Sequence, residues 1–285
     1  MTLNVLITGS NGQLATCIKD LEKQHPNLSF IYTNSSQLDL TNQEAINSFF
    51  ETNKIDWCIN CAAYTAVDKA ETDTENAFKV NEQGPKHLAL ACDKHNVKLI
   101  HVSTDFVFDG SKSSPYNEED QTKPLGVYGA SKLQGELAIK DVMNAFFIVR
   151  TSWLYSEHGN NFMKTMLRLA KTNKELNIVA DQVGTPTYAK DLAGALLSII
   201  TSNSNKYGVY HYSNEGVTSW YDFAKAIFDI SEIEIKVNPI PSKEFPTHAK
   251  RPSYSVLDKQ KTKENLNIET LYWRERLKTA IKNLY

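Results

Sequence analysis

An excess of either charge is what this 285-residue sequence most plainly lacks: 31 Lys and Arg stand against 33 Asp and Glu, for a net charge of −2. No basic stripe stands out, which argues against a charge-driven nucleic-acid surface. Long hydrophobic runs are missing too. The apolar run at 3–7 has strand length, far short of the roughly 20 residues a membrane-spanning helix needs. No signal peptide is recognisable, and a cytoplasmic location is expected. Cysteine is scarce, at four residues, although Cys58-Ile59-Asn60-Cys61 spells a C-x-x-C pair. The stretch 56–62 reads as a buried strand, where side chains three apart point to opposite faces and their Cα atoms lie about 10 Å apart. A disulfide needs less than about 7 Å, so these are expected to be core cysteines. The seven histidines show no metal-ligand spacing, and no metal site is expected.

What the sequence does have is alternation. Strand-like runs at 4–8, 28–33, 56–62, 98–103 and 145–150 are separated by helical stretches at 12–24, 42–53, 74–95 and 127–143. That rhythm predicts an α/β fold, a Rossmann-type doubly wound parallel sheet covered by helices on both faces. After Arg150 the rhythm changes. Helices are expected at 161–171, 190–201 and 219–230, and a strand at 208–213. The segment 237–252 carries Pro239, Pro241, Pro246 and Pro252 and reads as irregular, and 258–284 reads as helical. The expected division is a dinucleotide-binding domain at 1–150, to which 187–215 returns, and a smaller substrate-binding domain at 151–285.

Gly9-Ser10-Asn11-Gly12-Gln13-Leu14-Ala15 follows the first strand and opens the first helix. Gly9 permits a tight turn, and Gly12 lets backbone N–H groups approach a pyrophosphate at the helix N-terminus. Ala15 fills the third small position. The second strand ends in Tyr32-Thr33-Asn34-Ser35-Ser36, with neither the acid that would favour NAD nor an arginine for its phosphorylated form. NADH and NADPH both stay open. Small residues Ala62 and Ala63 end the third strand and let a cofactor approach the sheet edge.

The fourth strand ends in Ser103-Thr104-Asp105, and one loop later comes Tyr128-Gly129-Ala130-Ser131-Lys132. Positions i and i+4 share a helix face. An ammonium beside a phenol favours the phenolate, which predicts a Tyr128 pKa drawn down toward neutral, where general acid catalysis is efficient. A second such pair, Tyr221 and Lys225, has no strand-ending Ser or Thr before it and belongs to a helix with an apolar core face. Trp153, just past a strand end, could stack on a ligand. Arg251, in its proline-rich stretch, could pair with a diphosphate.

These stretches resemble the extended short-chain dehydrogenase/reductase family, and within it the dTDP-4-dehydrorhamnose reductases. Further matches are Asn60-Cys61-Ala62-Ala63-Tyr64-Thr65-Ala66-Val67-Asp68-Lys69-Ala70-Glu71, Arg150-Thr151-Ser152-Trp153 and Arg251-Pro252-Ser253-Tyr254. The resemblance covers essentially the whole chain. It implies a dTDP-sugar substrate, with Tyr128 as proton donor, Lys132 as its partner and Thr104 on the reacting carbonyl. Asp105, Trp153 and Arg251 would join Thr104 and Tyr128 around the substrate. It places Gly9, Asn11, Gly12, Gln13, Leu14, Asp39, Leu40, Ala62, Ala63, Tyr64, Thr65 and Val102 on the cofactor, with Tyr128 and Lys132. Some members carry a glutamate on the first helix that joins a magnesium site between two subunits. Cys17 stands there in this chain, and either a monomer or a homodimer fits. Two other functions share the fold. One is a sugar-nucleotide epimerase or dehydratase, and dehydratases usually carry a glutamate where this chain has Phe106. The non-catalytic β subunit of methionine adenosyltransferase is also similar, and the intact Thr104, Tyr128 and Lys132 favour catalysis over that reading.

Overall fold

The computed structural model describes residues 2–285. Along the chain run β1 (Leu3–Thr8), α1 (Gln13–Leu21), β2 (Leu28–Thr33), α2 (Gln43–Thr52), β3 (Trp57–Asn60), α3 (Val67–Ala70) and α4 (Thr74–Phe78). Then come α5 (Gly84–Lys94), β4 (Lys98–Thr104), α6 (Val127–Val142) and β5 (Phe146–Thr151). The later elements are β6 (Leu154–Tyr155), α7 (Phe162–Leu169), β7 (Glu175–Val179), β8 (Val183–Gly184), β9 (Thr187–Tyr188), α8 (Ala189–Thr201) and β10 (Gly208–His211). The chain ends with β11 (Thr218–Ser219), α9 (Trp220–Ile230), β12 (Lys236–Ile240), α10 (Gln260–Leu266) and α11 (Trp273–Lys282).

Six strands form one parallel sheet in the order β10-β5-β4-β3-β1-β2. All four residues of β3 are buried, as expected where helices cover both faces. Leu14, Ala15, Cys17, Ile18 and Leu21 of α1 join Leu192, Leu196 and Ile200 of α8 in the core on one face. Ile46 and Phe50 of α2 join Leu88 and Cys92 of α5 on the other. The order reverses at β1, which is bordered by β2 on one side and β3 on the other, so crossovers leave on opposite faces and open a crevice at the carboxyl ends of β1 and β3. Register aligns those ends: Thr8 lies opposite Asn60, Asn60 opposite His101, and Thr104 opposite Thr151.

Two expectations about regular structure needed correction and a third gained detail. The stretch 74–95 is helical as expected, but not one α-helix. It passes through a π-helical turn at Lys79–Gln83 before α5. Pro85 has no N–H to return to the preceding turn, and the widened turn brings the side chain of Asn81 against the backbone of Tyr64. The proline-rich segment contains a strand, β12, running parallel to β7 with Pro239 opposite Ile178. Proline is tolerated there because the pair is only two strands wide. The C-terminal stretch is two helices, because Asn267 adopts a left-handed conformation (φ 52°) that ends α10.

Candidate active site

A cleft of about 970 Å³ opens over the carboxyl ends of β1, β3, β4 and β5. Its floor begins at the turn after β1. Gly9 holds φ +67°, and a Cβ there would stand 2.8 Å from the backbone of Ala62, so only glycine fits. Gly12 N-caps α1 with no side-chain hydrogen bond, leaving the first N–H groups of α1 free of a capping side chain. Gly9, Asn11, Gly12, Gln13 and Leu14 line the cleft here. A pyrophosphate fits this uncapped helix start, where the dipole favours negative charge. Gln13 also ties the loop to the second half of the chain. Its Nε2 donates to the carbonyl of Leu154 at 3.3 Å, and its Oε1 accepts from Ser156 at 3.2 Å.

Asp39 and Leu40 line the cleft together with Asn34 and Ser35, and so do Ala62, Ala63, Thr65 and Val102. Tyr64 stands apart: its hydroxyl donates to Asp73 at 2.9 Å, and its backbone is held by Asn81, so its side chain is outside the lining.

Thr104, Asp105, Tyr128 and Lys132 meet at the centre. Gly129 allows this, because a Cβ there would sit 2.2 Å from the carbonyl oxygen of Phe106. α6 therefore packs directly on the loop that carries Thr104. The backbone N–H of Val127 donates to Glu71 at 2.8 Å, which fixes the start of that helix. Thr104 Oγ1 donates to Asp105 at 3.1 Å and accepts from the Phe106 N–H at 3.2 Å. Asp105 is buried, its second carboxylate oxygen has no partner, and burial pushes its carboxyl up to about 6.

The expected lowering of the tyrosine is not what the structure holds. Burial pushes the Tyr128 phenol up to about 12, a hydrogen bond with Thr104 opposing and the Asp105 charge adding to the rise. Lys132 is spent elsewhere. Its Nζ lies 2.7 Å from the Val102 carbonyl and 3.1 Å from His101 Nε2, and burial brings it down to about 8. Such a phenol keeps its proton over the whole physiological range, and a cation brought beside it would be needed to make it a strong donor there.

Beneath the centre, Arg150 makes three hydrogen bonds to Glu136 at 2.7–3.2 Å, and Ser103 donates to the same carboxylate at 2.6 Å. Both charges are buried. The far wall is aromatic. Trp153 and Trp220 stack with centroids 3.5 Å apart at 8°, and both face the cleft, as does Arg251. Trp220 had no sequence signal beyond its place on a core-faced helix. Thr151 and Asn160 also line the cleft, and Thr151 was legible only as part of a family match. The second pair, Tyr221 and Lys225, lies outside it, and Lys225 lines a separate groove.

All four cysteines are free. One group of potential metal ligands occurs among the described residues, Asp20, Glu157 and His158. Its members have protein partners: His158 Nε2 lies 2.6 Å from Asp20, and Tyr188 donates to Glu157. No helix among the described residues is long and apolar enough to cross a membrane.

Residues 3–285 match the family described as RmlD substrate binding domain. The dTDP-4-dehydrorhamnose reductase of Aggregatibacter actinomycetemcomitans is 43% identical over 96% of this chain and 97% of its own length. A crystal structure of the Clostridium acetobutylicum dTDP-4-dehydrorhamnose reductase superposes with a TM-score of 0.95 at 44% identity, covering 99% of both chains. The Bacillus anthracis enzyme, crystallised in complex with NADP, gives the same TM-score at 38% identity over 99% of this chain and 100% of its own. UDP-glucose 4-epimerase from Thermus thermophilus, at 19% identity and a TM-score of 0.83, shares the fold. By sequence and by fold, the chain belongs to the dTDP-4-dehydrorhamnose reductase family.

Proposed function

We propose that this protein reduces the C4 ketone of dTDP-4-dehydro-β-L-rhamnose to the alcohol of dTDP-L-rhamnose. The observation that carries the reading is the convergence of an uncapped Gly9–Gly12 helix start with Thr104, Tyr128 and Lys132 in one cleft. The NADP held by the Bacillus anthracis relative supports it. A reduced nicotinamide dinucleotide, when bound, supplies the hydride. Gly9, Asn11, Gly12, Gln13 and Leu14 would hold its pyrophosphate, Asp39 and Leu40 its adenosine end, and Ala62, Ala63, Thr65 and Val102 its nicotinamide half. Neither charge class at the end of β2 discriminates NADH from NADPH.

The chain's own contribution is positioning and a proton. Thr104 orients the ketone by a hydrogen bond from its hydroxyl, exchanging its present bond to Asp105. Tyr128 gives its phenolic proton to the ketone oxygen as hydride reaches the carbon, which leaves an alcohol and a phenolate that solvent reprotonates. Trp153 and Trp220 pack against the sugar and exclude water, and Arg251 pairs with the diphosphate. Residues 1–150, joined by β10 and α8, form the cofactor half in this reading, and the remainder of 151–285 forms the substrate half.

The test is NAD(P)H oxidation by the purified protein with dTDP-4-dehydro-β-L-rhamnose, followed at 340 nm with the product identified by mass and NMR. Stoichiometric oxidation with formation of the C4 alcohol is expected. Cofactor binding without turnover would favour the regulatory alternative, and a product epimerised or dehydrated without net oxidation would favour the other enzyme class.

A further inference from the structure

Two histidines lie fully buried in the sheet, and their hydrogen bonds have opposite polarity. His211 donates from Nδ1 to the Tyr116 carbonyl at 3.1 Å, so its Nε2 keeps a lone pair, which an Arg150 N–H meets at 3.4 Å. His101 has no carbonyl. Its Nδ1 faces the Asn60 side-chain amide at 3.0 Å, and its Nε2 faces the Lys132 Nζ at 3.1 Å. The orientation of Asn60 is fixed from outside, because its Oδ1 accepts the Ala62 backbone N–H at 3.1 Å and the Thr8 hydroxyl at 2.7 Å. A backbone N–H can only donate. Asn60 therefore turns its NH₂ to His101, and Nδ1 has to be the acceptor.

The neutral ring then carries its proton on Nε2, aimed at Lys132. A second ring proton is disfavoured, since burial and the neighbouring lysine hold His101 well below its ordinary range. An ammonium offers three donors and no lone pair, so it cannot accept that N–H. An uncharged amine can, while still donating to the Val102 carbonyl at 2.7 Å. We propose that Asn60 and His101 are positioning residues whose hydrogen bonds hold Lys132 against Val102 only in its uncharged form, and that the lysine turns toward Tyr128 on taking up a proton.

The other groups facing Lys132 only partly offset its burial. Glu136, one turn along α6, favours the ammonium, but its charge is shared with Arg150. Cys61, after β3, is a neutral thiol pushed up by burial, and Tyr128 keeps its proton. No carboxylate bonds to Nζ among the described residues, and burial brings the amine down to about 8.

Nitrogen-15 NMR of histidine-labelled protein reads the ring tautomer directly, and carbon-13 NMR at lysine Cε reads the titration of Lys132, assigned by its loss in Lys132→Arg. The wild type should carry the His101 proton on Nε2, and Lys132 should titrate near 8. In His101→Gln the side-chain amide is free to present its oxygen to Nζ. The Lys132 titration should then rise by roughly one unit or more, and the basic limb of kcat/KM should follow it. Should that variant fail to fold, Asn60→Asp accepts from both Ala62 and His101 and should move the ring proton to Nδ1. A wild-type proton on Nδ1, an unmoved Lys132 in His101→Gln, or an unchanged tautomer in Asn60→Asp overturns the proposal. Only the kinetic limb rests on the reductase reading. The two spectra are recorded on the resting protein, so failure of the activity and failure of this inference are told apart.

Discussion

Arg251 and Asp68, 183 residues apart in the chain, are joined by two hydrogen bonds at 2.6 and 3.1 Å at the rim of the cleft. The guanidinium holds the Asp68 carboxyl below its usual range. Asp68 thereby aims an arginine that a diphosphate could engage, since its fork matches phosphate geometry. Arg251→Ala should weaken dTDP-sugar binding by about 1–3 kcal/mol, the range for a lost charged hydrogen bond, with kcat little changed. Titration calorimetry with dTDP-sugar measures it, and parental affinity in a folded variant contradicts the role of Arg251.

Tyr128→Phe removes the proton donor together with its hydrogen bond to Thr104, while the ring keeps its edge contact with Phe106 at 5.6 Å. Turnover should fall by on the order of 10²–10⁴, the usual range for general acid catalysis, while cofactor affinity stays within a few-fold. Tyr221→Phe is the matched control, outside the cleft, and should leave the chemical step intact. Near-normal turnover in Tyr128→Phe sinks the assignment of Tyr128 as the acid.

The Trp153–Trp220 stack depends on a residue that touches neither ligand. A Cβ on Gly184 would come 2.6 Å from the Trp153 indole. Trp153 is already held at φ +46°, a region costly for bulky residues, so its ring has little freedom to yield. Gly184→Ala should therefore tilt the indole and raise KM for the sugar nucleotide on the order of tenfold, about 1.4 kcal/mol, with cofactor affinity unchanged. Steady-state kinetics with each substrate varied separates the two, and an unmoved KM removes Trp153 from the sugar site.

How far the sequence discloses this site follows from how local each signal is. The phosphate loop and the Thr104–Tyr128–Lys132 set were legible because a tight turn, a strand end and an i, i+4 face each constrain neighbouring residues. Pro239 was misleading: proline excludes a central strand, but nothing local says that the partner β7 offers a two-stranded edge. The Tyr128 pKa was misjudged for a related reason. Helical spacing puts Lys132 beside it, yet where its Nζ points is decided by His101 and Val102 on another strand. Trp220 reached the cleft through tertiary packing on Trp153, which no spacing encodes.

Glu136 and Arg150 test the floor of the site. Glu136→Gln keeps the shape but leaves the buried Arg150 without its counter-charge and weakens the bond from Ser103. Breaking one partner of a buried pair costs about 3–5 kcal/mol. Urea unfolding should show a loss of that order, with a lower midpoint at constant slope. Because Ser103 precedes Thr104, turnover of the folded fraction should fall as well. Full stability in Glu136→Gln contradicts a stabilising role for the buried charge pair.

Lys132→Met gives the pH dependence its sign. Lys132 titrates near 8 and Tyr128 near 12. If turnover needs the protonated lysine beside Tyr128, kcat/KM is on its plateau below about pH 8 and declines above it as the ammonium is lost. Methionine keeps roughly the volume but carries no proton, so that limb disappears. What remains is loss of the phenolic proton itself, and the decline should move up beyond about pH 10, the ordinary tyrosine value. The plateau should be lower, because no cation then stabilises the phenolate as the proton leaves. Cofactor affinity should weaken in the same variant if the lysine also bonds the nicotinamide ribose. A basic limb that stays near 8 in an active Lys132→Met protein assigns it to a different group, and the Tyr128–Lys132 partnership is then wrong.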